Sequence, residues 1–315
     1  MITTFDAHLP HGITLACRSA GDDDAIGKPR MLLLHGFPEA AWVWDDTLLA
    51  LADAAHGIAA NLRGYAPSSA PASREDYRAK HLVADLEALI TQRGAPMDLV
   101  VAHDWGGALA WNLAAMHPHL MRRLLIINAP HPATFLRELR DNPAQQQASA
   151  YMNFLCRPDA QALLADNDFV RLWPFFENMG GSRWLTPAVR ERYRHTWRQG
   201  LDGPLNYYRA SPLRPPAMAK ATEGTHASHA ASTAGGESLT KLQLPPSMLR
   251  VTVPTTVLWG LGDTALRPSL LDGLGDWVSP LEVFTVDDAS HWIVHEQPEL
   301  VQRHIRRLLA ASPAG

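Results

Sequence analysis

The chain has 315 residues, a length that fits one large domain or two small ones. Hydrophobic residues make up 46 % and charged residues 19 % of the chain, a composition that is typical of globular proteins and excludes an intrinsically disordered one. Its 28 basic and 32 acidic side chains give a formal net charge of −4, so the charge does not favour binding to nucleic acid.

Signals for export, membrane insertion and disulfide bonding are missing from the sequence. The N-terminal residues lack a basic stretch followed by an apolar one, so no signal peptide is predicted. No apolar run approaches the roughly 18–20 residues that span a bilayer. Cys17 and Cys156 are the only cysteines, which fits a reducing compartment. We therefore expect a cytoplasmic protein that does not bind membranes, as a monomer or a homodimer.

The predicted elements begin with strands and then alternate between strands and helices. Residues 3–20 are predicted to form two short strands that turn at Pro10–Gly12. Amphipathic stretches such as Tyr77–Arg93 separate further short apolar runs, and a last helix is predicted at about Glu299–Leu309. Continuous apolar strands alternating with helices indicate a mostly parallel, doubly wound α/β sheet covered on both faces. The apolar runs are Met31–Leu34, Ile58–Asn61, Leu99–Ala102, Leu124–Asn128, Thr255–Trp259 and Leu281–Val286.

The middle of the chain has a different pattern. Residues 132–246 contain no convincing buried strand, but they contain aromatic-rich helical stretches at Tyr151–Leu155, Phe169–Phe176 and Arg190–Arg198. We interpret this part as a helical cap inserted between two parts of one α/β core, residues 1–131 and 247–315. Within it, residues 219–241 are small and polar with almost nothing to bury, which predicts a mobile surface loop without a role.

The segment 100–108 holds the first candidate for chemistry. An apolar strand runs into Asp104, and the glycine pair Gly106 and Gly107 leads into a helical pattern. This strand–turn–helix context is that of a nucleophile elbow, where a tight turn lifts one reactive side chain above the sheet. Asp104 stands where such elbows commonly carry a serine. The alternative is that Asp104 only caps the following helix.

Two further residues strengthen the catalytic interpretation. Asp263 comes just beyond an apolar strand, and His291 comes just after the next one. The chain order nucleophile, acid, histidine is that of hydrolase triads, and active sites of open α/β sheets lie at the carboxyl ends of strands. The sequence therefore predicts a triad of Asp104, Asp263 and His291. No metal site is predicted, because His226 and His229 have no acidic or cysteine partners at ligand spacing.

These motifs resemble the α/β-hydrolase superfamily, and within it the branch with an aspartate nucleophile, especially the soluble epoxide hydrolases. The matching sequences are HGFPE at 35–39, RGY at 63–65, HDWGG at 103–107 and SHW at 290–292, together with Asp263. The resemblance extends from about Gly12 to Leu309, with residues 219–241 as an unmatched addition. It implies the α/β-hydrolase fold with an inserted helical cap, and it implies no cofactor.

The resemblance also implies a reaction. Asp104 would attack a ring carbon of an epoxide to form an alkyl-enzyme ester, and water activated by His291 would hydrolyse that ester to a vicinal diol. The backbone N–H groups of Phe37 and Trp105 are expected to form the oxyanion hole of the second step. A serine could not replace Asp104, because its alkylation would give an ether without a carbonyl for water to attack.

Two cap tyrosines hold the epoxide oxygen in epoxide hydrolases of this type. The resemblance places them at Tyr151 and Tyr208. Tyr207 is expected to pack or to face away, because adjacent helical residues do not share a face. The expected substrate is a small apolar epoxide, since several aromatic residues suggest an aromatic-lined cap pocket: Trp173, Phe175, Phe176, Trp184 and Trp197.

Two other functions stay open at this point. A haloalkane dehalogenase would resemble the chain at Asp104, Trp105 and His291, but many dehalogenases carry a second N–H donor after the His-Gly pair, where this chain has Phe37. A non-enzymatic ligand receptor on the same fold is the alternative from another class. The complete predicted triad argues against the receptor.

Overall fold

The centre of the molecule is a mostly parallel β-sheet. The computed structural model describes residues 1–22, 27–179, 183–216 and 239–311. In these ranges eight strands form one sheet in the order β1-β2-β4-β3-β5-β6-β7-β8. β1 and β2 are antiparallel to their neighbours and the other pairs are parallel, which confirms the predicted sheet with its antiparallel edge. The strands are β1 (Thr3–His8), β2 (Thr14–Ala20), β3 (Arg30–Leu34), β4 (His56–Ala60), β5 (Leu99–His103), β6 (Leu124–Ile127), β7 (Thr255–Gly260) and β8 (Leu281–Val286).

Helices cover both faces of this sheet. None of the helices in the described ranges is long and apolar enough to cross a bilayer. The α-helices are α1 (Asp45–Ala50), α2 (Ala79–Gln92), α3 (Asp104–Met116), α4 (Pro132–Asp141), α5 (Pro143–Ala148), α6 (Tyr151–Leu155), α7 (Ala160–Phe169), α8 (Trp173–Glu177), α9 (Pro187–Trp197), α10 (Asp202–Ala210), α11 (Ile293–Glu296) and α12 (Pro298–Ala310).

The wholly apolar strands are explained by this two-sided cover. In β3, Leu32 and Leu34 join the hydrophobic cluster under α2 and α3. Met31 and Leu33 alternate with them and join the cluster under α1 and α12. Successive side chains of a strand point to opposite faces, so a strand buried on both faces has to be apolar at every position.

A run of helices separates β6 from β7. In residues 132–179, 183–216 and 239–250 the structure has helices and no strand, as predicted. The expected helical stretch at Phe169–Phe176 is helical only from Trp173 onward. The end of α7 just before it is kinked, because Asn167, Asp168 and Phe169 have positive φ angles that a regular right-handed helix does not contain. Most of the loop predicted at 219–241, residues 219–238, lies outside the described residues. The domain limits at 131 and 246 stay predictions.

Residues 132–179 and 183–216, which we together call the helical segment, are joined to the sheet part at several points. In α9, the indole N–H of Trp197 donates to the carbonyl of Pro38 at 2.8 Å. The indole N–H of Trp42 in turn donates to the hydroxyl of Thr196 at 3.0 Å. These bonds link α9 to the loop that follows β3.

The backbone at the start of α10 lies directly against the backbone of the loop that follows β4. A Cβ atom on Gly203 would lie 2.2 Å from the carbonyl oxygen of Gly64. No real Cβ comes this close, so the approach requires glycine at position 203. The contact fixes where α10 enters the site described below.

Two buried histidines make the stability of this fold depend on pH. Burial lowers the pKa of His35 and that of His131 to about 4. The ring of His35 donates to the carbonyl of Gly36 and accepts the N–H of Leu62, so it is satisfied as a neutral imidazole. The ring of His131 likewise accepts the N–H of Ala133.

We expect the free energy of unfolding to fall as the pH is lowered from 6.5 to about 4.5. Over this range the unfolded chain binds protons at both histidines and the folded chain does not. Each histidine therefore lowers the free energy of unfolding by up to about 1.4 kcal/mol per pH unit. Urea unfolding at several pH values measures the slope. His131→Gln should reduce the slope by the contribution of one histidine. An unchanged slope in this variant would mean that His131 does not cause the pH dependence.

Candidate active site

Asp104 occupies a strained turn at the end of β5. β5 ends at His103 and α3 begins at Asp104, whose φ of 50° lies in the left-handed region. The carboxylate does not cap its own helix; instead its Oδ1 accepts the backbone N–H of Phe37 at 2.7 Å. The helix-cap alternative is therefore wrong. A strained, non-glycine residue whose side chain is aimed away from its own helix fits a nucleophile elbow.

Three glycines make this turn possible. A Cβ on Gly106 would lie 2.6 Å from the carbonyl oxygen of Leu34, and one on Gly107 would lie 2.2 Å from the Cβ of Ala129. A Cβ on Gly36 would lie 2.2 Å from Oδ1 of Asp104. The first turn of α3 thus packs closely between the ends of β3 and β6. The backbone N–H of Phe37 can reach the carboxylate of Asp104 only because residue 36 has no side chain.

The structure brings His291 and Asp263 to the same place. His291 follows β8, and its Nδ1 donates to Oδ2 of Asp263 at 2.7 Å. Its Nε2 lies 3.7 Å from Oδ2 of Asp104. The other oxygen of Asp263 accepts the backbone N–H groups of Ala265 and Leu266 at 2.9 and 2.8 Å. Asp263 is therefore held from several sides and in turn orients the imidazole.

The charge of His291 is set by its two carboxylate neighbours. Burial lowers its pKa, but the negative charges of Asp263 and Asp104 outweigh this and raise the pKa to about 9. At neutral pH the resting site thus holds an imidazolium between two carboxylates. Removal of the charge on Asp104 would lower the pKa of His291.

Tyr151 and Tyr208 lie together beside Asp104. Tyr151 begins α6 and Tyr208 lies in α10; their ring centres are 6.3 Å apart. The ring of Tyr208 packs edge-on against Trp105 at 5.0 Å. Burial raises the pKa of both hydroxyls, and the charge of Asp104 raises it further. Both side chains therefore stay protonated and can act as hydrogen-bond donors.

Tyr207 behaves differently from its neighbour. Its hydroxyl donates to the backbone carbonyl of Arg63 at 2.8 Å, and its ring packs against Tyr65 and Tyr77. Arg63 itself is fixed by a buried, two-point ion pair with Asp85. Tyr207 thus anchors α10 on the sheet part of the protein, which agrees with the expectation that it packs.

A cavity of about 260 Å³ adjoins these groups. Asp104, Tyr151 and Tyr208 line it, and most of its other walls are apolar. The aromatic part of the lining comes from Tyr77, Trp105, Phe135, Tyr151, Tyr207 and Tyr208, whereas the five aromatic side chains named in the sequence analysis are not among the described residues that border the cavity. They pack in the helical segment, as Trp173 does against Trp197 at 4.7 Å. The apolar lining includes Leu82, Leu109, Phe135, Met152, Leu213, Leu244, Met248, Leu249 and Leu266.

Asn128 is a site residue that the sequence analysis missed. It follows β6 with a φ of 39°, and its amide N–H group donates to Oδ2 of Asp263 at 2.9 Å. Its amide oxygen accepts the backbone N–H of Gly260 at 2.9 Å. Asn128 thereby holds both the acid and the end of β7. A polar residue at the carboxyl end of a parallel strand was the signal that could have found it.

Gln145 is a second missed residue, and it had no sequence signal. It is buried in α5, where its amide N–H group donates to the carbonyl of Ala265 and its oxygen accepts the N–H of Arg267. Gln145 is thus hydrogen-bonded to the same loop whose backbone N–H groups donate to Asp263. Because α6 follows directly, Gln145 connects the helix of Tyr151 to the loop that follows Asp263.

Glu39 is the third site residue that the sequence analysis missed, and it is connected to His291 through His103. The buried carboxylate of Glu39 accepts the hydroxyl of Tyr193 at 2.9 Å and contacts Nε2 of His295 at 2.6 Å. On its other side it contacts His103, which donates to the backbone carbonyl of His291 at 2.8 Å. Burial raises the pKa of Glu39, but the two histidines hold it well below its usual range.

Comparison with known proteins agrees with the fold. The family profile of the α/β hydrolase fold matches residues 29–298. The chain belongs to this family. It is 33 % identical to the AB hydrolase superfamily protein YfhM of Bacillus subtilis over 95 % of both chains. It is 31 % identical to epoxide hydrolase 4 of Mus musculus, covering 87 % of this chain and 71 % of the relative.

A solved structure has the same architecture over its full length. The epoxide hydrolase of Bacillus megaterium, in complex with an inhibitor, superposes with a TM-score of 0.83 at 28 % identity. The match covers 98 % of this chain and 100 % of that one. This α/β hydrolase thus resembles epoxide hydrolases in both sequence and structure.

We expect Gln145→Met to lower the free energy of unfolding by about 2–3 kcal/mol, because it leaves a buried donor and a buried acceptor unpaired in the Asp263 loop. Gln147→Met is the matched control on the same helix, at an exposed position, and should cost no more than about 0.5 kcal/mol. Chemical unfolding of the two variants measures both values. Equal losses would mean that the loop does not depend on Gln145.

Proposed function

We propose that the protein hydrolyses epoxides to vicinal diols through a covalent ester on Asp104. The observation that carries this proposal is that one apolar cavity presents the Asp104 carboxylate and two buried, protonated hydroxyls, those of Tyr151 and Tyr208. The names of the relatives support the same reaction, since several are epoxide hydrolases.

In the first step, an oxygen of Asp104 attacks a ring carbon and the carbon–oxygen bond of the epoxide breaks. Oδ1 already accepts the N–H of Phe37, so Oδ2 is the oxygen free to attack. The departing alkoxide is a poor leaving group unless it is protonated or hydrogen-bonded, and the hydroxyls of Tyr151 and Tyr208 supply this. The product of the step is an ester that also carries the new hydroxyl group.

In the second step, His291 acts as a base toward water. Ester formation removes the charge of Asp104, which is one of the causes of the raised pKa of His291, so the imidazolium can pass its proton to the tyrosinate left by the first step and become a base. Water then attacks the carbonyl carbon of the ester, and the developing charge on Oδ1 is stabilised by the N–H groups of Phe37 and Trp105. The bond between the carbonyl carbon and Oδ2 then breaks, and the oxygen of the water stays in the carboxylate of Asp104. Of the two protons of the water, one goes to the departing diol oxygen and the other restores the imidazolium of His291.

We further propose that the helical segment acts as the cap of this site. It supplies Tyr151 and Tyr208, and its contacts with the sheet part keep them near Asp104. The bond from Tyr207 to the carbonyl of Arg63 holds α10, and the bonds of Gln145 hold the start of α6. A cap held in this way needs no substrate to bring its tyrosines into position.

A haloalkane dehalogenase is the less favoured alternative. Release of a halide requires N–H donors facing the nucleophile, and residue 37 is phenylalanine, which offers none from its side chain. A ligand receptor is disfavoured because the imidazole of His291 is hydrogen-bonded to Asp263 and its Nε2 lies 3.7 Å from Oδ2 of Asp104.

The tyrosines distinguish the two enzymatic functions. We expect Tyr208→Phe to slow epoxide opening by about 10- to 1000-fold, the range for loss of one positioned proton donor, and the double variant with Tyr151→Phe to have almost no activity. Tyr65→Phe is the matched control, because its buried hydroxyl has no partner among the described residues. Full activity of the double variant would remove the tyrosines from the mechanism, and halide release without any diol would favour the dehalogenase.

A single turnover in heavy-oxygen water tests the nucleophile. With enzyme in excess over styrene oxide, the first diol should contain no label, because its new oxygen comes from Asp104, and the label should enter the peptide that contains Asp104. His291→Gln should accumulate the ester, since only the second step needs the base. Label in the first diol, with none in the peptide, would instead mean that Asp104 merely activates water.

A further inference from the structure

The cavity follows one face of α3 away from Asp104. Trp105, Ala108, Leu109 and Asn112 line it and have the spacing of one helix face. Asn112 lies two turns beyond Asp104, which at about 1.5 Å per residue places it roughly 12 Å along the helix. A ligand that reacts at Asp104 and fills this cavity is therefore elongated.

The walls between these two ends offer almost nothing for a polar ligand group to bind. The hydroxyls of Tyr77 and Tyr207 line the cavity but donate to the backbone carbonyls of Pro71 and Arg63. Ser211 also lines the cavity, and its hydroxyl oxygen accepts the backbone N–H of Leu213, which leaves its O–H as a donor. Most other lining side chains are apolar, so the middle of the ligand has to be apolar as well.

Asn112 is the exception at the far end. Its Nδ2 donates to the backbone carbonyl of Ala108 at 2.7 Å. Because a carbonyl can only accept, this bond fixes which end of the amide carries the nitrogen, and Oδ1 is turned away from the helix backbone. Among the described residues no donor reaches Oδ1, so a half-buried acceptor is left for a ligand.

We propose that the substrates are elongated epoxides with an apolar chain, whose distal end carries a hydroxyl that donates to Oδ1 of Asn112. The inference rests on the proposed epoxide hydrolysis and adds to it the length, the polarity and one specificity-determining residue. Extended chains advance about 1.2 Å per bond, so a straight chain of about ten carbons spans the distance from Asp104 to Asn112.

The test compares 1,2-epoxydecane with its analogue that carries a hydroxyl on the last carbon. The value measured is the ratio of kcat/KM for the hydroxylated substrate to that for the plain one. In Asn112→Leu this ratio should fall by about 5- to 15-fold, the effect of losing one hydrogen bond. A general loss of activity in the variant acts on both substrates and cancels in the ratio.

Asn178→Leu is the matched control, since it makes the same chemical change at an exposed position outside the cavity. Its ratio should stay within about twofold of the wild-type value. An unchanged ratio in Asn112→Leu would overturn the inference. Turnover of styrene oxide but of neither long epoxide would also overturn it and leave the proposed function intact, whereas no turnover of any epoxide would overturn both.

Discussion

The hydrogen bond from the N–H of Phe37 to Oδ1 of Asp104 is the interaction on which the rest of the site depends. It joins the loop after β3 to the turn after β5, and it exists only because Gly36, Gly106 and Gly107 have no side chain where neighbouring atoms come close. The left-handed conformation of Asp104 is kept by the same contacts. Once this carboxylate oxygen is held, the other oxygen is left facing the imidazole and the cavity.

The second constraint is electrostatic. His291 is buried, yet the carboxylates of Asp104 and Asp263 keep its pKa high. In the proposed reaction the charge on one of these carboxylates disappears when the ester forms, so the reaction itself converts an imidazolium into a base. Asp263 cannot lose its charge in this way, because its oxygens are committed to backbone N–H groups, to Asn128 and to the imidazole.

The helical segment and the sheet part share their polar contacts near the reacting groups. Tyr207 bonds to a core carbonyl beside the cavity, Gln145 bonds to the loop of Asp263, and Tyr193 bonds to the carboxylate of Glu39. Each contact satisfies a buried polar group that would otherwise destabilise the folded state. The placement of the two tyrosines is consequently a property of the folded protein as a whole.

Local patterns in the sequence determined the strands, their mostly parallel arrangement and the tight turn at Asp104, because a strand buried on both faces must be apolar and a tight strand-to-helix turn must contain small residues. They also placed Asp104, Asp263 and His291 at strand ends, where the sheet brings them together. Only the tertiary structure decided that Gln145 and Glu39 belong to the site and that the aromatic residues near Trp173 do not border the cavity. Such contacts join residues far apart in the chain, and periodicity along a chain carries no information about which distant side chain completes a hydrogen bond.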